Sequence, residues 1–557
     1  MPKSSFQAPL SGAEPGAGPA HDPALDPALD PALEKEPRPR VSPPPFLRRA
    51  LTLGKGSMIS RVLGFARELL FASIFGVGGA ADAFLLAFRV PNLCRRLISE
   101  GSLGYAFIPA YKRLGMEAGR ERADRFARSC IAWLCLVFTV TALAGMLAPK
   151  LLALVLAPGM GDDPQLLAEA ARFLRYCLPY LPLAAGAALC GGVLLAKGRF
   201  FAPAVAPIIM NAALVAGCLA VCARETGDGA PEIVCAALLA GGVLQWGWLA
   251  WGCRRAGFAL AGALSLRDRE AGAALAATPA AAFSASQQQL LMLAAVFLAS
   301  FLPAGAISAL YFAERLLEIP LGLIGSSLGL AAVAGLSARE EKRREFRDAL
   351  GSALHLALFL GTPAALGLGM LAEPLTKLLF GHGAFGERAL AETSAALLAL
   401  AGGLPAMMAA KPLLAALNAL GDRKSAARVT MAGIALTLAC GGLLFWLTGE
   451  KALTPLVPAL AVSAAAWVSI PLLARALARR QAGPSFSPRR LLPVAAGGAA
   501  LFFLLAGLEG LSLRPALHVP LAGAAGFALY MGVAALCKSR DAALCRELVR
   551  KKRKKER

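Results

Sequence analysis

Residues 57–113 carry Arg61, Arg67, Glu68, Asp82, Arg89, Arg95, Arg96 and Glu100 in a stretch otherwise apolar enough for two membrane helices. Ionisable groups are costly in hydrocarbon and persist where they pair, face a bundle interior or line a wet cavity. Placed on a helix, Asp82, Arg89, Arg96 and Glu100 fall within about 40° of one another and make one charged stripe. In the span before it, Arg61 and Glu68 share a face, with Arg67 about a third of a turn away. Pro91 should kink the second span and release backbone carbonyls there. One reading is a set of ion pairs that only lock helices, with Glu68, Asp82 and Glu100 neutralising nearby arginines. The other follows from the excess of cations. A buried guanidinium without a counter-ion calls for an external anion, and its planar fork of donors suits phosphate.

A second set lies further on. Tyr311, Glu314, Arg315 and Glu318 occur in ALYFAERLLEIPLG, and Lys411 stands alone in LPAMMAAKPLLAAL. Such a lysine either snorkels to the interface or adds to a cavity. Gln287, Gln288 and Gln289 read as helix–helix hydrogen bonding. Glu169, Arg172 and Arg175 open another span, at the interface.

The elements that must position these residues are helices in a membrane. The chain has 557 residues, is 57% hydrophobic and has a mean hydropathy of +0.61. Long uncharged runs recur, each able to cross a bilayer in roughly 20 residues. The expected fold is an all-α polytopic bundle of about fourteen transmembrane helices, centred near residues 67, 98, 142, 183, 213, 242, 287, 320, 362, 402, 437, 464, 499 and 526. No strand-like alternation recurs. Every second loop is basic, from Lys112–Arg128 through Arg339–Arg347 to Arg475–Arg490, and the alternate loops (GVGGA, PGMGDDP, LPAG, GHGAFGE) are nearly bare. This alternation predicts a multi-pass protein with both termini in the cytoplasm. Residues 1–45, with DPALDPALDPALE, read as a disordered Pro/Ala-rich tail, and no secretory signal is visible. Residues 538–557, ending in RKKRKKER, read as an anchor near anionic lipid and not as a nucleic-acid site. The twelve cysteines fall mostly inside apolar runs, with no CxxC, and the four histidines are scattered, so no metal, haem or disulfide framework is expected.

The chain also repeats itself weakly. GSLGYAFIPA at 101–110 resembles SSLGLAAVAG at 326–335, APKLLALVLAPG at 148–159 resembles AEPLTKLLFGHG, and LLAKGR resembles ALGDRK. All three share one offset, that between Pro149 and Pro374 (374 − 149 = 225). They predict duplicated six-helix lobes at 50–256 and 272–480, related by an axis along the membrane normal as in rocker-type transporters. Residues 488–537 lie outside the repeat.

These motifs carry a family resemblance. SRVLGFARE followed by DAFLLAFRVPNLCRRLISEGSLGYAFIP is similar to the N-terminal signature of the MurJ/MviN family of lipid II flippases. YFAERLLEIPLGLIGSSLG, LFGHGAF and ALGDRKS resemble that family's later motifs, and the likeness covers about residues 50–480. The resemblance implies two six-helix lobes of the MOP superfamily around a cationic cavity, with two C-terminal helices forming a groove for a prenyl tail. It implies lipid II, the undecaprenyl-pyrophosphate-linked peptidoglycan precursor, as cargo, the bacterial inner membrane as location, and cell-wall biogenesis as the process served. By position, Arg67, Arg95 and Arg315 match the arginines that hold the pyrophosphate, and Arg61 and Ser60 match a cavity pair. Glu68 and Glu100 match acidic gate or cavity positions; Asp82, Arg89 and Lys411 match other charged ones. Arg96, Glu314 and Glu318 complete the candidate cavity set. Departures occur: Ala295 and an eleventh span without Asn or Asp argue against the sodium site of some members, and Leu330, Ala334 and Ala426 replace family Thr and Pro residues.

The expectation is a flippase and not an enzyme. No GxxxxGK[ST] occurs, so no ATP site or other cofactor is expected, and the drive is assigned to membrane potential or an ion gradient. Lipid II and membrane lipids are the expected partners; the N-terminal tail is either a docking segment for a cell-wall synthase or an idle tether. The alternatives are a polysaccharide-unit flippase, which shares this physics, and a MATE-like antiporter, whose cation cargo fits poorly with the arginine excess. A membrane enzyme acting on lipid pyrophosphate would need a metal-binding carboxylate pair or a His/Arg cluster, and neither is seen.

Overall fold

The computed structural model describes residues 45–96, 107–224, 229–262, 266–276, 286–333, 340–449, 454–509 and 514–546, with isolated positions between 277 and 285. Glu100 and most of both tails lie outside the described residues. Among the described residues all regular structure is helical. The first half of the chain forms α1 (Pro45–Phe75), α2 (Gly79–Arg96), α3 (Ile108–Glu117), α4 (Gly119–Leu147), α5 (Pro149–Leu156), α6 (Pro164–Cys177), α7 (Tyr180–Ala196), α8 (Phe201–Cys222) and α9 (Ala230–Arg255). A short α10 (Arg269–Ala276) leads to α11 (Gln287–Ala299), α12 (Ala306–Val333), α13 (Glu340–Met370), α14 (Ala372–Phe380), α15 (Glu387–Ala419), α16 (Arg423–Thr448) and α17 (Leu456–Ala478). Then come α18 (Leu492–Glu509) and α19 (Pro515–Leu536).

Local chemistry sets the ends of these helices. Asp163 caps α6 by accepting from the backbone N–H groups of Gln165 and Leu166, and Asp422 caps α16 through Ser425 N–H. Gly198 and Gly421, both at positive φ, follow α7 and α15.

A helix stands at or beside each expected span. Ten of these segments are long and apolar enough to cross a membrane. The other four positions are α1, α2, α11 and α12. Three of them carry the charged residues, which dilute their apolarity, and α11 has only 13 residues. Length and composition therefore support ten crossings and leave the count of fourteen unconfirmed. The repeat is much clearer in the helix bounds than in the letters. Shifting α4, α5, α8 and α9 by 225 gives 344–372, 374–381, 426–447 and 455–480, which fall within four residues of α13, α14, α16 and α17. α2 maps likewise onto the start of α12, and α6 with α7 onto the single helix α15.

Helices pack mainly against others of their own half, α8 on α9 and α15 on α12, α13 and α17. The principal helix pair that joins the halves is α2 with α12. α18 packs on α13, and Tyr530 of α19 donates from its hydroxyl to Phe359 O at 2.7 Å.

The two ends of the bundle differ. At the basic end, Lys197 Nζ lies 3.3 Å from Asp124, and Arg122 grips Asp268 with two bonds of 2.6 and 3.2 Å. At the bare end the halves meet through backbone groups and a serine hydroxyl. Ala384 N donates to Ser73 O at 2.9 Å, and Gly159 N donates to Ser300 Oγ at 3.0 Å. Gly76, Gly159 and Gly383 have no room for a Cβ: it would strike Ala384 O, Ser300 O and Ser73 O respectively. The LFGHGAF motif is thus a close-approach device at this seam.

A candidate anion site between the halves

Three charged residues of α2, about two turns apart on one helical face, point at α12. At the bare end the Asp82 carboxylate accepts from Gly305 N, Ser308 N and Ser308 Oγ at 2.7, 2.7 and 2.6 Å. These groups belong to the first turn of α12, where backbone donors lack helical partners. In the middle, Arg89 donates to Glu314 at 2.8 Å. Towards the basic end, Arg96 holds Glu318 by two bonds of 2.7 and 3.1 Å. The sequence separations are 223, 226, 225 and 222. They bracket the repeat period, so α2 and α12 lie side by side about the repeat axis. The three described members of the predicted stripe, Asp82, Arg89 and Arg96, are paired across the halves; its fourth, Glu100, lies outside the described residues.

Glu314 and Glu318 are shared. Arg315, on their own helix, lies 3.3 Å from Glu314 and 2.8 Å from Glu318. Glu314 is fully buried, and its Oε1 has no hydrogen-bond partner. On α1, Arg67 pairs with Glu68, whose other oxygen accepts from Tyr311 Oη at 2.9 Å. Arg67 also donates to Asn211 Oδ1 at 3.0 Å and lies 5.6 Å from the Phe71 and Phe88 ring centres. The Asn211 amide turns its other end to Ser60, donating to the backbone O at 3.0 Å and Oγ at 3.2 Å.

Two cavities adjoin these groups. One, of about 110 Å³, is lined by Ser60, Arg67, Asn92, Arg95, Asn211 and Gln245 among others. The second, of about 20 Å³, lies among Arg89, Asn92, Arg96, Gln289, Tyr311 and Arg315. Arg67 and Arg95, expected to act with Arg315, share the first cavity, whereas Arg315 faces the second. Asn92 forms a wall of both and accepts from Arg95 at 3.3 Å. Arg61 lies nearer the basic end, donating to Gly322 O at 3.2 Å, and Lys411 reaches the adjacent Leu321 O at 3.4 Å. Lys411 therefore joins α15 to α12 instead of snorkelling. Gln287 bonds Ser469 of α17 at 2.9 Å, the helix–helix contact expected of it.

Asn92, Tyr180, Asn211 and Gln245 line the first cavity without standing among the candidates that the sequence offers. Asn211 had a signal: it is the only amide in FAPAVAPIIMNAALVAGCLAVC. Outside the bundle axis, an apolar cleft of about 600 Å³ opens between α13, α17 and the chain before α18, with Arg347 and Arg475 among its lining residues. Of the expected groove at 488–537 it includes Leu491 alone among its described lining.

Comparison with known proteins agrees with this architecture. The family model described as lipid II flippase MurJ matches residues 71–518. A lipid II flippase MurJ of Burkholderia cenocepacia is 31% identical over 417 residues, 73% of this chain and 80% of that protein. A probable lipid II flippase MurJ of Rhizobium tropici is 30% identical over 443 residues, 78% and 81% of the two chains. Among solved structures, a lipid II flippase MurJ in an inward closed conformation superposes with a TM-score of 0.73 at 22% identity, covering 90% of this chain and 100% of that one. An inward-facing MATE multidrug transporter of the MOP superfamily gives 0.60 at 16% identity, covering 78% and 99%.

Proposed function

The chain belongs to the lipid II flippase MurJ family, and on that premise we propose that it carries lipid II from the cytoplasmic to the outer leaflet of a bacterial inner membrane by alternating access. The observation that carries this reading is the charge balance between the halves. Among the described residues, Arg61, Arg67, Arg89, Arg95, Arg96, Arg315 and Lys411 stand against Glu68, Asp82, Glu314 and Glu318. The surplus suits a pyrophosphate diester, and Arg67 with Arg95 on one cavity wall offers forked donors to it. The basic end is assigned to the cytoplasm, with both termini there. The apolar cleft beside α13 and α17 would take part of the prenyl chain, and the N-terminal tail is a candidate docking segment for a cell-wall synthase.

Both cavities are far smaller than a disaccharide-pentapeptide headgroup, and contacts close the bundle towards either end, so the conformation is read as closed. Net positive charge in the moving region makes the carrier sensitive to the membrane potential, worth about 2.3 kcal/mol per charge per 100 mV. The MATE-like alternative shares the fold, but cation cargo would meet repulsion in this cavity.

The test is depletion of the protein in its own organism, with complementation by Arg95→Ala and Arg315→Ala. Lipid II should accumulate on the inner leaflet, and the variants should insert normally yet fail to export it. Normal export by either variant sinks the assignment of that arginine; undisturbed cell-wall synthesis on depletion sinks the function.

A further inference from the structure

The closed state uses up donors that cargo would need. Arg89 donates to Glu314, and Arg96 donates bidentately to Glu318. The cavity beside them, about 20 Å³, has room for roughly one water. It cannot admit a phosphate while the halves are together. Both carboxylates sit on α12 with Arg315, one and three residues away, and that arginine already contacts each of them.

Parting the halves therefore divides the charges unevenly. Glu314 and Glu318 keep Arg315, because all three ride on one helix. Arg89 gives up its carboxylate and Arg96 its bidentate one, and both leave on α2 beside Asn92 and Arg95. An anion entering at that moment meets a first half that has just lost two negative charges. The closed arrangement is also imperfect: buried Glu314 Oε1 and Arg315 Nε lack hydrogen-bond partners. A pair held this way is costly to bury and can be exchanged for a better-solvated partner.

Building on the lipid-pyrophosphate reading above, we propose that Glu314 and Glu318 are internal counter-ions that compete with the cargo's pyrophosphate for Arg89 and Arg96. They let the empty carrier close on itself, and the anion takes their place as the halves part. They are specificity-determining residues, because neutral or cationic cargo cannot make this exchange. A carrier that spends nine-tenths of its time self-paired loses about tenfold in apparent affinity for an anion that needs the open form.

The experiment uses the full-length purified protein in lipid nanodiscs with inorganic pyrophosphate as the probe. Binding is measured for wild type, Glu314→Gln, Glu318→Gln and the double variant, and hydrogen–deuterium exchange is followed in α2 and α12. The expected result is pyrophosphate binding tightened about tenfold in the double variant, with faster exchange in both helices that pyrophosphate slows again. Glu318→Asp, which keeps the charge, should behave near wild type and controls for misfolding. If wild type binds pyrophosphate and the Gln variants bind it no better, the competition is overturned while the cargo reading stands. If no form binds pyrophosphate, the cargo reading itself has failed and this inference falls with it.

Discussion

Asp82 on α2 receives both the backbone N–H and the hydroxyl of Ser308 on α12, at 2.7 and 2.6 Å, and so caps a helix of the opposite half. Caps of this kind contribute about 1–2 kcal/mol. Because this one spans the seam, the energy goes into keeping the bare end shut. Asp82→Ala should raise hydrogen exchange in the first turn of α12 and shift the population towards opening at that end, with export impaired. Ser308→Ala, which keeps the backbone donor, should show the same change at smaller amplitude.

Asn211 fixes the direction of Arg67 by holding Ser60 with its other end. Asn211→Leu removes a hydrogen bond to a charged group, worth roughly 1.5–3 kcal/mol. Binding of undecaprenyl pyrophosphate should weaken about tenfold or more, with membrane abundance unchanged. Asn211→Asp should also weaken it, since the new carboxylate supplies Arg67 with a second internal counter-ion. Equal binding by both variants and wild type would remove Asn211 from the site.

Much of this was open to reading from the chain alone, and the limits have physical causes. Charges inside apolar runs are rare enough that Arg67, Arg89, Arg95, Arg96 and Arg315 announce themselves. Helical phase then placed Asp82, Arg89 and Arg96 on one face, and that face meets α12. Phase says nothing of depth or partner, so Glu314 and Glu318 could not be assigned to Arg89 and Arg96, nor Arg315 separated from Arg67 and Arg95. Those assignments depend on how far the halves have closed. Asn211 escaped because a single amide in an apolar helix has many uses.

The contact of the α10 segment with α4 at the basic end offers a pH test. Asp268 accepts two bonds from Arg122, which hold its carboxyl below the ordinary range while partial burial opposes them, and it caps α10 through Glu270 N and Ala271 N. A depressed folded-state value means that the stabilisation is present above the unfolded value of about 3.9 and is lost as pH falls through the lower folded one. Asp268→Asn should therefore cost about 1 kcal/mol at pH 7. The difference should vanish well below pH 3.9. Local hydrogen exchange over 266–276, measured at both pH values, checks this.

Gly159 leaves no space for a Cβ against Ser300 O. Gly159→Ala should wedge the seam, costing about 1–3 kcal/mol if the halves stay together. Cross-linking between bare-end loops should then fall while cross-linking at the basic end rises. Gly383→Ala, which adds a strained positive φ of 64°, should act in the same direction.

The pairing of Arg89 with Glu314, one repeat period apart, has a historical consequence. A residue that touches its own equivalent lies on the two-fold axis. Two identical chains assembled in this way would set guanidinium against guanidinium, or carboxylate against carboxylate, and such a dimer would repel itself at its centre. This contact became possible only once duplicated copies were fused and free to diverge. A symmetric homodimeric forerunner would have needed uncharged residues on that axis, and an ion pair between equivalent positions there requires two unlike halves.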